Sequence, residues 1–278
     1  PGSVADKAQT AAVTELNADS ADVNATVTYT KVGSLVPSSS DGNFPGAPTV
    51  VYPNDASDAT KVKPAGVPTV PGYTAHDPEG HVLTPGSSYQ PSDPTKDTTI
   101  TYTADQQEGS VSYVDDTTGK TLKTDSISGT TGSKSSYSTS GNIADYKKQG
   151  YELVTDGYPA DLTFDNNDTT DQNFTVHLKH RLTPVNPTAP QTPGTPINPD
   201  EPDGPKWPTS TNYNKTVNET ISYVDQNGQV VAKQHTDSVN FTRTVVVDNV
   251  TGEVITSGAG TTAWTATNGD TTFDAVVN

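Results

Sequence analysis

The sequence predicts a mainly β protein with a short helix, assembled from tandem small modules instead of one large core. Three observations lead there. Only 30% of its 278 residues are hydrophobic and mean hydropathy is −0.63, below the ~45–50% apolar share of ordinary globular chains. Alternating Thr/Val/Tyr runs recur along the chain, the pattern of half-buried strands. The 22 glycines and 22 prolines punctuate those runs with turns and disfavour long helices.

Two segments start alike. Val111-Ser112-Tyr113-Val114-Asp115-Asp116 leads to Thr118-Gly119-Lys120, and Ile221-Ser222-Tyr223-Val224-Asp225 leads to Asn227-Gly228-Gln229. Each is an alternating run, a glycine-containing turn and a second run, which predicts a β-hairpin. Two hairpins imply two related modules. Asp22 to Thr30, Asp97 to Thr103 and, more loosely, Asp171 to Leu178 each place an Asp before an alternating run, and are expected to be closing strands. Pro1-Gly2 reads as a degraded copy of the Pro71-Gly72 lead-in to the second of these.

The one expected helix runs from Asn142 to Gln149, with Ser140 as its cap and Gly150 as its stop. Ile143 and Tyr146 share a face. A hairpin, this helix, then strands at 151–154 and 174–178 give the order ββαββ, in which so short a helix finds burial only by crossing a mixed sheet. That is the arrangement of a β-grasp (ubiquitin-like) module, with Val111, Tyr113, Leu122, Ile143, Tyr146, Leu153, Phe174 and Val176 as its expected core and Tyr151 beside them.

Composition then divides the chain. Residues 1–31 read as the closing segment of a preceding β module, and 32–106 as an extended β/Pro-rich connector module with a strand near residues 49–52. Residues 107–181 are the β-grasp module. Residues 182–211 are a Pro-rich linker, expected to be stiff polyproline II, and 212–278 open a second β module.

Several function classes drop out. With no Cys or Met, disulfides and thiolate chemistry are excluded. A formal charge of −17 and a pI near 4.4 oppose binding to nucleic acid or anionic membranes, and no apolar run is long enough for membrane insertion as a helix. No nucleophile and base or paired-carboxylate set is legible, so an enzyme is not expected. His177 and His180 lie three apart, on opposite faces of a strand, which defeats joint metal capture. His76 and His81 bracket the Asp77-Pro78-Glu79-Gly80 turn and meet a metal only if that loop folds back.

The stretch from Val111 to His180, with Tyr113-Val114-Asp115-Asp116, the Gly129-Thr130-Thr131-Gly132 turn and Gln149-Gly150-Tyr151-Glu152-Leu153-Val154, resembles the mucin-binding (MucBP) domain of lactobacillal mucus-binding proteins. The Val70-Pro71-Gly72-Tyr73 and Asp97-Thr98-Thr99-Ile100-Thr101-Tyr102-Thr103 units, and the segment from Thr216, resemble the Mub repeats of the same adhesins. The resemblance implies an elongated rod of tandem repeats, extracellular and anchored to the cell wall of a Gram-positive bacterium. It also implies binding to host mucin glycoproteins or their glycans by many weak contacts, with no catalytic residues. No export signal or wall anchor is read in these residues, so the localisation comes from the resemblance alone.

Candidate binding residues follow from chemistry. Tyr137 and Tyr158 sit in Gly/Ser/Pro-rich surroundings suited to exposed aromatic platforms for sugar CH faces. Residues 109–181 hold seven cations against ten acids and are the least acidic part of the chain, so Lys134, Lys147 and Lys148 are candidates for contact with anionic glycans. No cofactor is required. Asp165, Asn167, Asp168 and Asp171 supply the hard oxygens calcium takes, though without the Gly and Glu of an EF-hand loop, and the same residues suit a tight turn. Other expected partners are immunoglobulins, captured on an exposed sheet edge, and a second copy, if residues 1–30 complete the 212–278 sheet head to tail. A stalk that only spaces a distal adhesin is the alternative function.

Overall fold

The computed structural model describes all 278 residues. They divide into two compact units, the first made of residues 1–110, 125–136 and 160–173, the second of 111–124, 137–159 and 174–278. No helix is long and apolar enough to cross a membrane.

In the first unit, a five-stranded sheet has the order Val50–Val51, Ser34–Ser38, Thr98–Ala104, Tyr73–His76, Val82–Leu83. Thr98–Ala104 is central because its alternation sends Ile100 and Tyr102 into the core while Thr99, Thr101 and Thr103 face out. Ser34–Ser38 runs parallel to it, Leu35 opposite Thr98, and Tyr73–His76 antiparallel, Ala75 opposite Tyr102. Leu35, Tyr52, Ile100 and Tyr102 are almost fully buried in one cluster with Val4, Val32 and Val62. Two of the buried tyrosine hydroxyls are used: Tyr52 donates to Lys96 O at 2.9 Å and Tyr102 to Pro68 O at 2.5 Å. Residues 32–106, expected as an extended connector, thus carry a core of their own. Proline density hid it, because the strands that build it are as short as two residues.

Residues 1–31 belong to the same unit. Ser3–Ala5 pairs antiparallel with Tyr29–Lys31, and Val4 enters the core cluster. The long closing strand expected over 22–30 shrinks to those last three residues, with 22–28 exposed and outside any strand. Ser3–Ala5 therefore has a strand partner within residues 1–31.

Between residues 106 and 180 the order is two strands, one helix, two strands, as expected: Gln106–Asp115, Lys120–Thr130, Ser140–Lys148, Tyr151–Asp156, Gln172–His180. The strands lie in the order Lys120–Thr130, Gln106–Asp115, Gln172–His180, Tyr151–Asp156. Gly119, at φ +77°, makes the left-handed turn of the hairpin. The helix is flanked by Thr139, with no side-chain cap, and not by Ser140. Val111, Tyr113, Ile143, Tyr151 and Val176 are buried. Leu122, Tyr146 and Phe174 are half-buried, and Leu153 is exposed, next to a register shift at the sheet edge. Leu162, Phe164 and Leu178 are buried in addition.

The second unit corrects the linker. Leu182–Val185 pairs antiparallel with Val245–Asp248, which also holds Val254–Ile255. Val185, Ile197, Tyr213, Val245 and Val247 form a core. Within the Pro-rich stretch, Ile197 donates its N–H to Pro205 O and Trp207 its N–H to Thr195 O, each at 3.0 Å. Residues 182–211 are thus a folded part of this unit, not a polyproline rod. Proline removes a donor but leaves its carbonyl to accept, so a Pro-rich segment still folds where an Ile and a Val between the prolines find burial. Beyond it, Asn214–Val224 and Val230–Thr242 form the second expected hairpin, turned by Gly228 at φ +80°.

Candidate functional site

The second unit strings its aromatic rings in contact. Tyr113 is fully buried, and its hydroxyl lies 2.6 Å from that of Tyr137. Tyr137 meets Tyr158 edge to face at 5.3 Å, and Tyr158 meets Phe174 at 5.4 Å. Tyr146 stands 5.7 Å from Tyr113 and 5.5 Å from Tyr151. Asn142, on the helix, donates to the Tyr113 hydroxyl at 3.1 Å and accepts from Lys123 Nζ at 3.0 Å. The structure brings Tyr137 and Tyr158 together but leaves both half-buried. A small module has few other large side chains to fill it, so rings in loop-like sequence are drawn inward.

Lys147 and Lys148 are exposed in the last turn of the helix, where a cation is favoured by the carbonyl end of the helix dipole. They form a positive pair in the same unit as Tyr137 and Tyr158. Lys134 is exposed in the first unit, on a segment bridged to Thr163.

Residues 165–171 are spent largely on their own turns. Asp165 Oδ1 accepts the Asn167 N–H, and Asn167 Oδ1 accepts the N–H groups of Thr169 and Thr170. Asp168 Oδ1 takes a hydrogen bond from Gln107 Nε2 at 2.6 Å. Asp171 is exposed. The side chains whose potential ligand atoms lie within 4.8 Å of one another are Asp77, Glu79 and His81, at the turn the two histidines bracket. There Asp77 accepts the N–H groups of Glu79 and His81 and holds the His81 ring at 3.1 Å, while His76 stays outside the group.

His180 is the group that sequence reasoning passed over. Its side chain is 4% exposed, with Nε2 2.6 Å from Asp115 Oδ2 and Nδ1 2.7 Å from Asp248 Oδ2, both carboxylates equally buried. A neutral imidazole has one N–H, so donating to both carboxylates requires the imidazolium. Burial works against that charge. The hydrogen bonds to Asp248 and Asp115, and then their charges, outweigh it and hold the imidazole above the usual histidine pKa. The carboxylates are themselves fixed: Asp115 accepts from Thr117 N–H and the Thr118 hydroxyl, and Asp248 from the Val250 and Thr251 N–H groups. The Tyr151 ring covers one side at 5.3 Å. Beside it, Gly150, at φ +99°, approaches the Asn249 backbone so closely that an added Cβ would stand 2.5 Å from its oxygen. The only local signal for this cluster was the strict alternation that separates His180 from His177, which pairs instead with Asp116 at 2.7 Å.

Residues 107–180 match a family model described as a mucin binding domain, and residues 208–278 one described as a Muc B2-like domain. Among solved structures, the chain is 35% identical to the type 2 repeat of the mucus binding protein MUB from Lactobacillus reuteri, over 57% of this chain and 74% of that one, with a TM-score of 0.40. It is also 35% identical to Mub-RV, over 58% and 73%, with a TM-score of 0.43. No curated protein sequence matches.

Proposed function

Because the chain belongs to the MucBP/Mub-type family of mucus-binding protein repeats, we propose that it is a bacterial cell-surface adhesin segment that holds host mucus glycoproteins through many weak glycan contacts. The match of residues 107–180 to the mucin binding domain carries this reading. Adhesins of this family act by binding and not by catalysis, and they work outside the cell, at the wall of Gram-positive bacteria. Their tandem arrangement suits avidity, which raises overall affinity ~10²–10⁴-fold with no new contacts when geometry allows simultaneous engagement. The strand order and the helix placement of residues 106–180 support a β-grasp module as the contact-making part.

Within that module the exposed Lys147 and Lys148 pair meets sialylated or sulfated glycans, with the outward parts of Tyr137 and Tyr158 offering CH contact. The exposed Lys134 is a further candidate cation for such glycans. The test is binding of the chain to immobilised mucin, native and glycan-stripped, with immunoglobulin as a parallel ligand. Changing Lys147 and Lys148 together to Glu lowers mucin binding at low salt, and the loss shrinks at high salt as charges are screened over roughly 10 Å or less. Binding that survives glycan removal, or that ignores both changes, would overturn the glycan reading.

A further inference from the structure

The first unit contains a hollow of about 200 Å³ that lies outside the residues matched by either family model, apart from one side chain. Val67, Val70, Ala75, Leu83 and Tyr102 give it apolar walls, and Thr74, Asp105 and Asp168 give it one polar end. Neither Lys nor Arg lines it. We propose that this hollow binds a primary ammonium on an aliphatic stem, the chemistry shared by a lysine side chain and a small alkylamine, with the methylenes against the apolar wall and the ammonium on Asp105 and Asp168.

Three observations converge on that ligand. The two carboxyl groups both line the hollow, with the Thr74 hydroxyl donating to Asp105 and Gln107 to Asp168. Burial first, then the bond to Asp168 and its charge, raise the Asp105 pKa, the expected response when neighbouring carboxylates cannot both ionise. His76, on the same strand as Thr74, acts on Asp105 in the opposite direction. An ammonium brings three donors, enough for both carboxyl groups. Second, Tyr73, nine-tenths buried, also lines the hollow, and its hydroxyl has no hydrogen-bond partner. Third, the volume is below the ~300–1,000 Å³ of pockets for drug-sized ligands, so one unbranched stem fills it. The excess of acids over cations in residues 1–108, thirteen against five, repels anionic sugars from this part of the chain.

The proposal is independent of the mucus reading and is tested without mucin. In the full chain, methyl resonances of Val67, Val70 and Leu83 are followed by NMR during titration with n-butylammonium, with a Gly-Lys-Gly peptide blocked at both ends, and with methyl galactoside. Saturable shifts with n-butylammonium are expected, weakened about fivefold in Asp168→Asn and further by salt. Asp168 is exposed, so this variant tests the charge without threatening the fold, and an unchanged methyl spectrum before titration verifies that. Shifts with the peptide as well extend the site to lysine side chains; shifts with the free amine alone confine it to small amines. Saturation by methyl galactoside in place of the amine, amine binding indifferent to Asp168→Asn, or no saturable shift would each overturn the proposal.

Discussion

Changing His180 to Ala lowers the unfolding free energy of the second unit by about 3–5 kcal/mol. The substitution leaves Asp115 and Asp248, 3% and 7% exposed, facing an empty site with no cation between them. The cost is that of two stranded buried charges, larger than the worth of the intact cluster, so Asp115→Asn, which leaves His180 paired with Asp248 and strands no charge, costs less. The wild-type cluster also makes stability depend on pH with a defined sign. The folded imidazole pKa is raised, so the folded state holds its proton more tightly than the unfolded chain does. The contribution is complete below the unfolded histidine pKa and is lost as pH rises through the higher folded value. Trp207 and Trp264, the chain's two tryptophans, are both in the second unit, so urea unfolding followed by tryptophan fluorescence reads this unit alone. The midpoint falls from mildly acidic towards alkaline pH in the wild type, and His180→Gln flattens the trend. A midpoint in His180→Ala equal to that of the wild type at pH 6 would show that the cluster is not formed.

Leu35→Ala costs about 2–5 kcal/mol in the first unit. Leu35 is 0% exposed, on the strand that runs parallel to Thr98–Ala104 and against Tyr52, Ile100 and Tyr102. Removing three carbons there opens a cavity that the paired backbone on either side keeps from collapsing. Hydrogen exchange is the appropriate readout, because this unit has no tryptophan. Amides of Thr98–Ala104 lose protection, while the tryptophan transition of the second unit stays in place. If residues 32–106 were an extended connector, the change would leave exchange unaltered.

The two substitutions mark where sequence reasoning reached and where it stopped. The hairpin over 111–127 was legible because alternation and a glycine turn act within a dozen residues. Ile143 was legible for the same reason, as the apolar position of a two-turn helix. Leu153 was expected inside and is exposed, since the register shift beside it breaks the alternation on which the expectation rested. Leu162 and Phe164 lie in no strand and show no periodicity, yet both are buried. Of the candidate contacts, Tyr137 and Tyr158 stand in polar surroundings in sequence, yet both are half-buried, where the rings pack on each other and on Phe174 and the Tyr137 hydroxyl meets that of Tyr113.

By itself the sequence determined the composition class, the charge, the ββαββ order, both hairpins and the family likeness. These rest on bond geometry and on side-chain periods of 2.0 and 3.6 residues, which any short window of chain displays. Only the tertiary structure decided that the Pro-rich stretch folds, that residues 32–106 own a core, and that His180 meets Asp115 and Asp248, 65 and 68 residues away. Those outcomes weigh apolar burial and charge desolvation against loop-closure entropy. Such a balance grows only slowly with separation along the chain, so nothing near His180 in sequence names its partners.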